Sequence, residues 1–199
     1  MSATDGTQAA PTVLGLPRAA GLRTLAIWVG IALVGFPLGG YLGHWVAGPV
    51  DGPAPALIGG ALTGAGIGLV QWLWLRRSLG LGPEWIVATS AGLAVGLAMG
   101  AMVVGYETTT SQLVVMGAIS GAGVGIAQGL LLREKLSLWP VWIVAMPVLW
   151  ALGWVTTDAA GIDVESQFTV FGASGAVAFG ILSGLVLIAA LRRAQYASS

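Results

Sequence analysis

The stretch Gly60–Ala88, GALTGAGIGLVQWLWLRRSLGLGPEWIVA, decides how the rest of the chain is read. Between Gly60 and Leu75 it carries no charge, and glycine recurs at Gly60, Gly64 and Gly68. The pair Arg76-Arg77 closes the run, a short turn ends at Pro83, and a second uncharged run opens at Trp85. With their flanks the two runs are Ala54–Leu75 and Trp85–Tyr106, each about 22 residues, enough to cross about 30 Å of hydrocarbon as a helix. Two such runs joined by a tight cationic turn predict a transmembrane helical hairpin.

The same pattern extends outward. Further apolar runs cover Leu25–Val46, Leu113–Leu132, Pro140–Thr156 and Phe168–Leu191, the fifth of the six being short for a span. Of 199 residues, 56% are hydrophobic and 8% charged, against about 25% charged in a soluble domain. That is too few to clothe a water-soluble globule. Residues 1–24 read as a flexible polar tail, 25–193 as the six-helix membrane domain and 194–199 as a second tail. The first apolar run is too long for a signal-peptide core and is read as a retained helix. Zero formal net charge and the lack of a basic stripe argue against nucleic acid as a partner. The absence of cysteine excludes disulfides and thiolate chemistry.

Moving Gly60–Gly96 forward by 57 positions overlays it on Gly117–Gly153. The overlay matches Gly60/Gly117, Gly64/Gly121, Gly68/Gly125, Gln71/Gln128, Arg76/Arg133 and Pro83/Pro140, and then WIVA at Trp85 and Trp142; roughly half of the positions are identical. A fainter third copy is split between the chain ends. Gly180, Gly184 and Arg192 answer to Gly121, Gly125 and Arg133, and Trp28, Gly35 and Gly39 answer to Trp85, Gly92 and Gly96. The expected fold is an all-α integral membrane protein: three parallel-repeat hairpins, circularly permuted, in a pseudo-threefold bundle.

Every cation lies beside alternate helix ends: Arg18 and Arg23, Arg76 and Arg77, Arg133 and Lys135, Arg192 and Arg193. The opposite loops carry Asp51, Glu107, Asp158, Asp163 and Glu165 and no Lys or Arg. The positive-inside rule then puts both termini in the cytoplasm.

Glycines four apart lie on one helix face and let another backbone approach, so these sets read first as packing grooves and second as flat seats for lipid, carotenoid or a pigment ring. Gln71 and Gln128 share that packed face. Their ordinary role is an interhelical hydrogen bond, and the sharper reading is a ligand-binding amide pair; the third copy has Leu187 there instead. His44, the only histidine, follows Gly40 by one turn. Beside Tyr41 and Trp45 it reads as an interfacial anchor, or, with Gly40 leaving room for a macrocycle, as an axial ligand to a tetrapyrrole metal. Pro37 and Pro147 interrupt the first and fifth helices, to fit their neighbours or to line a cavity or hinge. Trp45, Trp85, Trp139 and Trp142 near run ends read as an aromatic belt.

No ionisable residue falls at mid-membrane, where proton-coupled transporters place theirs. Nor does the sequence contain a nucleophile elbow, a zinc-binding histidine pair or a phosphate loop, so no enzyme is expected. The repeated element, glycines at four-residue spacing, Gln, Leu-x-Leu-Arg, a turn and a Trp-rich start, resembles uncharacterised multi-pass bacterial membrane proteins. The resemblance covers residues 59–154 well and the flanking helices loosely; it implies a bacterial inner (plasma) membrane and no activity.

The leading expectation is a non-enzymatic membrane subunit of a larger complex, energy-transducing or photosynthetic, with other membrane subunits, a second copy of the chain, lipid or pigment against it. The alternative is a small-molecule carrier or binding component, since six helices in this mass resemble the vitamin-binding S-components of energy-coupling transporters. Its polar candidates would be His44, Tyr106, Glu107 and Thr156. A buried polar cavity would favour the carrier, and a solid core the subunit.

Overall fold

A computed structural model describes residues 12–13, 16–162 and 168–197. It contains six helices: α1 (Arg18–Ala47), α2 (Pro53–Ser78), α3 (Glu84–Val103), α4 (Thr110–Leu132), α5 (Trp139–Ala159) and α6 (Ala173–Ala197). All six are long and apolar enough to cross a membrane, and the chain is a multi-pass transmembrane protein. A short antiparallel pair, β1 (Thr12–Val13) with β2 (Leu16–Pro17), precedes α1.

Local chemistry sets the helix ends. Pro53 opens α2 in its first turn, where the missing N–H costs nothing, and Pro140 does the same for α5. Thr109 and Gln112 form a reciprocal capping box at the start of α4. The chain leaves α1, α2, α3 and α5 through Gly48, Gly80, Gly105 and Gly161, all at positive φ.

Each helix packs against its neighbours in sequence, and α6 returns to pack on α1, so the sequential hairpins close into a ring. Very close backbone approach sets the interfaces. A Cβ added at Gly64 would lie 2.6 Å from the Thr89 carbonyl oxygen across α2/α3, and one at Gly121 would lie 2.5 Å from that of Met146 across α4/α5. The middle of the ring is filled by side chains. Phe36 of α1 lies 5.6 Å from Trp150 of α5 and 4.9 Å from Phe179 of α6, ring centroid to ring centroid.

Three expectations need correction. The first helix starts at Arg18, ahead of Leu25, so it takes in the last residues of the stretch read as a polar tail. The sixth starts at Ala173 and not at Phe168. Residues 168–172 are non-helical, and Thr169, Val170 and Phe171 turn into the bundle and are buried. Irregular backbone is tolerated inside a membrane protein where other protein surrounds it. Trp85 and Trp142 are core residues and not belt anchors, since both are buried; Trp45, 84% exposed, keeps a position suited to the belt.

Gly64→Ala should lower the thermal midpoint in detergent, at a cost of about 1–3 kcal/mol from forcing α2 off α3. Gly30, which has nothing within 4 Å of an added Cβ, provides the control: Gly30→Ala should be neutral or stabilising.

Candidate functional site

Two regions gather the residues singled out by chemistry. The first lies inside the ring towards its cationic end. There Gln71 and Gln128 are 3% and 1% exposed. The Trp85 indole of α3 donates to Gln71 Oε1 at 3.1 Å, and the Trp142 indole of α5 donates to Gln128 Oε1 at 3.1 Å. Gln128 Nε2 donates to Gln71 Oε1 at 3.1 Å and to Thr89 Oγ1 at 2.9 Å. On the remaining helix pair the Trp28 indole of α1 donates to Ser183 Oγ of α6 at 2.9 Å, and Ser183 donates to the Phe179 carbonyl at 2.6 Å. Leu187, buried, stands one turn beyond Ser183. Each of the three indoles is thus answered by a polar side chain on the preceding helix of the ring, and all six helices take part. The two amides therefore already serve as acceptors for buried indoles.

The second region lies at the opposite end. Phe171 stacks on Phe36 with centroids 4.7 Å apart and meets Trp150 and Trp154 edge-on. Thr169 Oγ1 lies 2.6 Å from Thr63 Oγ1, and Thr63 also donates to the Gly39 carbonyl at 3.1 Å. Residues 168–172 therefore act as a plug, stacked from below and hydrogen-bonded to α2. Beside the plug is a cavity of about 230 Å³, walled by Phe36, Pro37, Gly40, Trp154, Phe171 and their neighbours. Its one buried hydroxyl, Thr157 Oγ1, donates to the Gly153 carbonyl at 3.0 Å and accepts from the Gly172 N–H at 3.1 Å.

Gly40 and Pro37 thus sit in the cavity wall. His44 does not line it: its ring stacks on Phe168, centroids 4.3 Å apart, and Nδ1 is buried without a hydrogen-bond partner among the described residues. A cavity of this size falls below the roughly 300–1,000 Å³ of pockets that enclose drug-sized ligands, so a tetrapyrrole does not fit within it. Glu107 accepts from Gln112 Nε2, and Thr110 Oγ1 donates to Asp158 at 2.7 Å, tying α4 to the end of α5. Asp163 and Glu165 lie outside the described residues. No group of three or more His, Cys, Asp or Glu that could hold a metal occurs among the described residues.

Set against known proteins, the chain matches no family model, no curated protein and no solved structure.

Sequence reasoning missed the plug, because FTVFG at Phe168–Gly172 is apolar enough to merge with the helix that follows. Gly172 and the β-branched Thr169-Val170 were the available signal for a late helix start. It also missed Ser183, a substitute acceptor displaced by one turn from the glutamine position.

Gln128→Leu should remove three hydrogen bonds and strand the Trp142 indole, lowering unfolding stability in detergent by about 1–3 kcal/mol. Trp142→Phe should cost less in that background than in the parent chain. Strictly additive losses would mean that the indole–amide bond contributes nothing.

Proposed function

We propose that this chain is a non-enzymatic integral membrane subunit that works through its outer surface, packed beside other membrane components in a larger assembly. The observation that carries this reading is the filled centre of the ring. Trp28, Phe36, Trp85, Trp142, Trp150, Phe171 and Phe179 are all buried there. Close-packed side chains along the middle leave the outward helix faces as the working surface. Those faces carry many exposed apolar side chains, among them Val87, Val144 and Val148, which lipid or another transmembrane helix would cover.

In our reading the cationic end faces the cytoplasm and the membrane is the bacterial inner membrane. The bundle is read as three related hairpins in pseudo-threefold order. Two pairs of contacts support the relation between the α2–α3 and α4–α5 hairpins, each pair spaced by 57 residues: Trp85–Gln71 with Trp142–Gln128, and Gly64–Thr89 with Gly121–Met146.

One observation favours a second reading, a binding component for a small apolar molecule: the cavity beside residues 168–172. Its lining is apolar, which suits a hydrocarbon better than a polar vitamin.

Native mass spectrometry, with an absorption spectrum, on protein gently extracted from the membrane that naturally contains it tests the first reading. The expected result is a mass well above 20.1 kDa, with other polypeptides or pigment retained. A colourless species at the mass of one chain or a simple multiple of it would overturn the subunit reading.

A further inference from the structure

We propose that the cavity beside residues 168–172 holds one acyl chain of a membrane phospholipid, entering sideways between α1 and the start of α6. The cavity is a hydrocarbon site by its lining. Phe36, Pro37, Trp154, Val170 and Phe171 form its walls. The hydroxyl of Thr157 is already bonded as donor and as acceptor. Apart from the Trp154 indole N–H and the Tyr41 hydroxyl at the mouth, the lining side chains offer a polar ligand no free partner, so most of its lost hydration would go unreplaced, whereas a methylene chain loses no hydrogen bond. The size agrees. An apolar cavity of about 150 Å³ accepts benzene, and this one, at about 230 Å³, has room for several methylenes.

The position of the mouth selects the source. Tyr41, 69% exposed, Ile162 and Ala173 are the exposed members of the lining. Tyr41 belongs to an exposed stripe with Val34, Leu38 and Trp45 along α1, so the mouth opens on the face that hydrocarbon covers. Tyr41 lies six residues before the end of α1 at Ala47, which at 1.5 Å per residue is about 9 Å below the helix end. That depth suits a tyrosine at the membrane interface. Its hydroxyl is there within reach of a lipid's ester carbonyls while the chain below enters the cavity.

This inference holds with or without protein partners, so its test uses the isolated chain and its failure would not bear on the subunit reading. The chain is reconstituted in nanodiscs containing phosphatidylethanolamine with a diazirine on one acyl chain, illuminated, and its adducts are mapped by peptide mass spectrometry. Adducts should concentrate on residues 36–41 and 168–173, about tenfold above those on the outward residues Val144 and Val148. Ala173→Phe, which blocks the mouth, should abolish that excess and leave the labelling of Val144 and Val148 unchanged. Ile162→Trp, narrowing the mouth from the other side, should do the same and stands in should Ala173→Phe fail to fold. Even labelling of all outward faces, an excess that survives both variants, or cavity labelling only by a free diazirine fatty acid would each overturn the proposal.

Discussion

In a membrane a buried polar group cannot turn to water, and the interior of this bundle is organised around that constraint. Tryptophan fills the space between helices well, but each buried indole brings an N–H that needs an acceptor. Trp28, Trp85 and Trp142 find theirs on α6, α2 and α4. Because each acceptor lies on the preceding helix of the ring, each bond also fixes how that helix pair is rotated and how far it is shifted along its axis. Gln128 links two of these pairs by donating to Gln71 and to Thr89. Three buried side-chain atoms depart from this rule among the described residues: Ser120 Oγ, His44 Nδ1 and the Trp150 indole nitrogen have no partner, and packing among Phe36, Phe171 and Phe179 holds the Trp150 ring.

The indoles reach the middle only because the backbones approach so closely. Lipid tails are as apolar as leucine, so burial alone does not drive these helices together, and contact between backbones has to. Glycines such as Gly64 and Gly121 allow that contact. The two ends of the ring are then finished differently. The cationic end is tied by hydrogen-bonded side chains. The other is closed by a folded-in segment, with Phe171 stacked on Phe36 and Thr169 paired with Thr63. Where that segment meets α1 and α5 the packing is incomplete, and the cavity is what remains.

Much of this could be read from the sequence. Length, hydropathy and the turn residues placed six helices, and the cationic clusters marked alternate ends. Gln71 and Gln128 stood out because an amide on a glycine-lined face has nowhere to go but another helix. What could not be read was the partner. Trp85 and Trp142 lie near the starts of their helices, which is also where an interfacial anchor lies, and only the rotation of α3 and α5 decides between outward and inward. Ser183 was invisible for a related reason: its hydroxyl replaces an amide from one turn away, so the alignment showed only a missing glutamine. The non-helical segment before α6 was hidden by its own hydrophobicity.

Packing of α1 on α6 closes the ring and brings the first and last helices together. The chain lacks cysteine, so an engineered pair reports on this closure without background. A Cβ at Gly180 falls 3.1 Å from the Ala32 Cβ, close to the span of about 3.5–4.5 Å between the Cβ atoms of a disulfide. Both positions are buried, so in the double variant Ala32→Cys, Gly180→Cys the thiols are counted after denaturation: mild oxidation in the membrane should leave none to react with maleimide, against two in the reduced control, while the protein remains a single chain in mass. Two reactive thiols after oxidation, or crosslinks found only between chains, would contradict the closed ring.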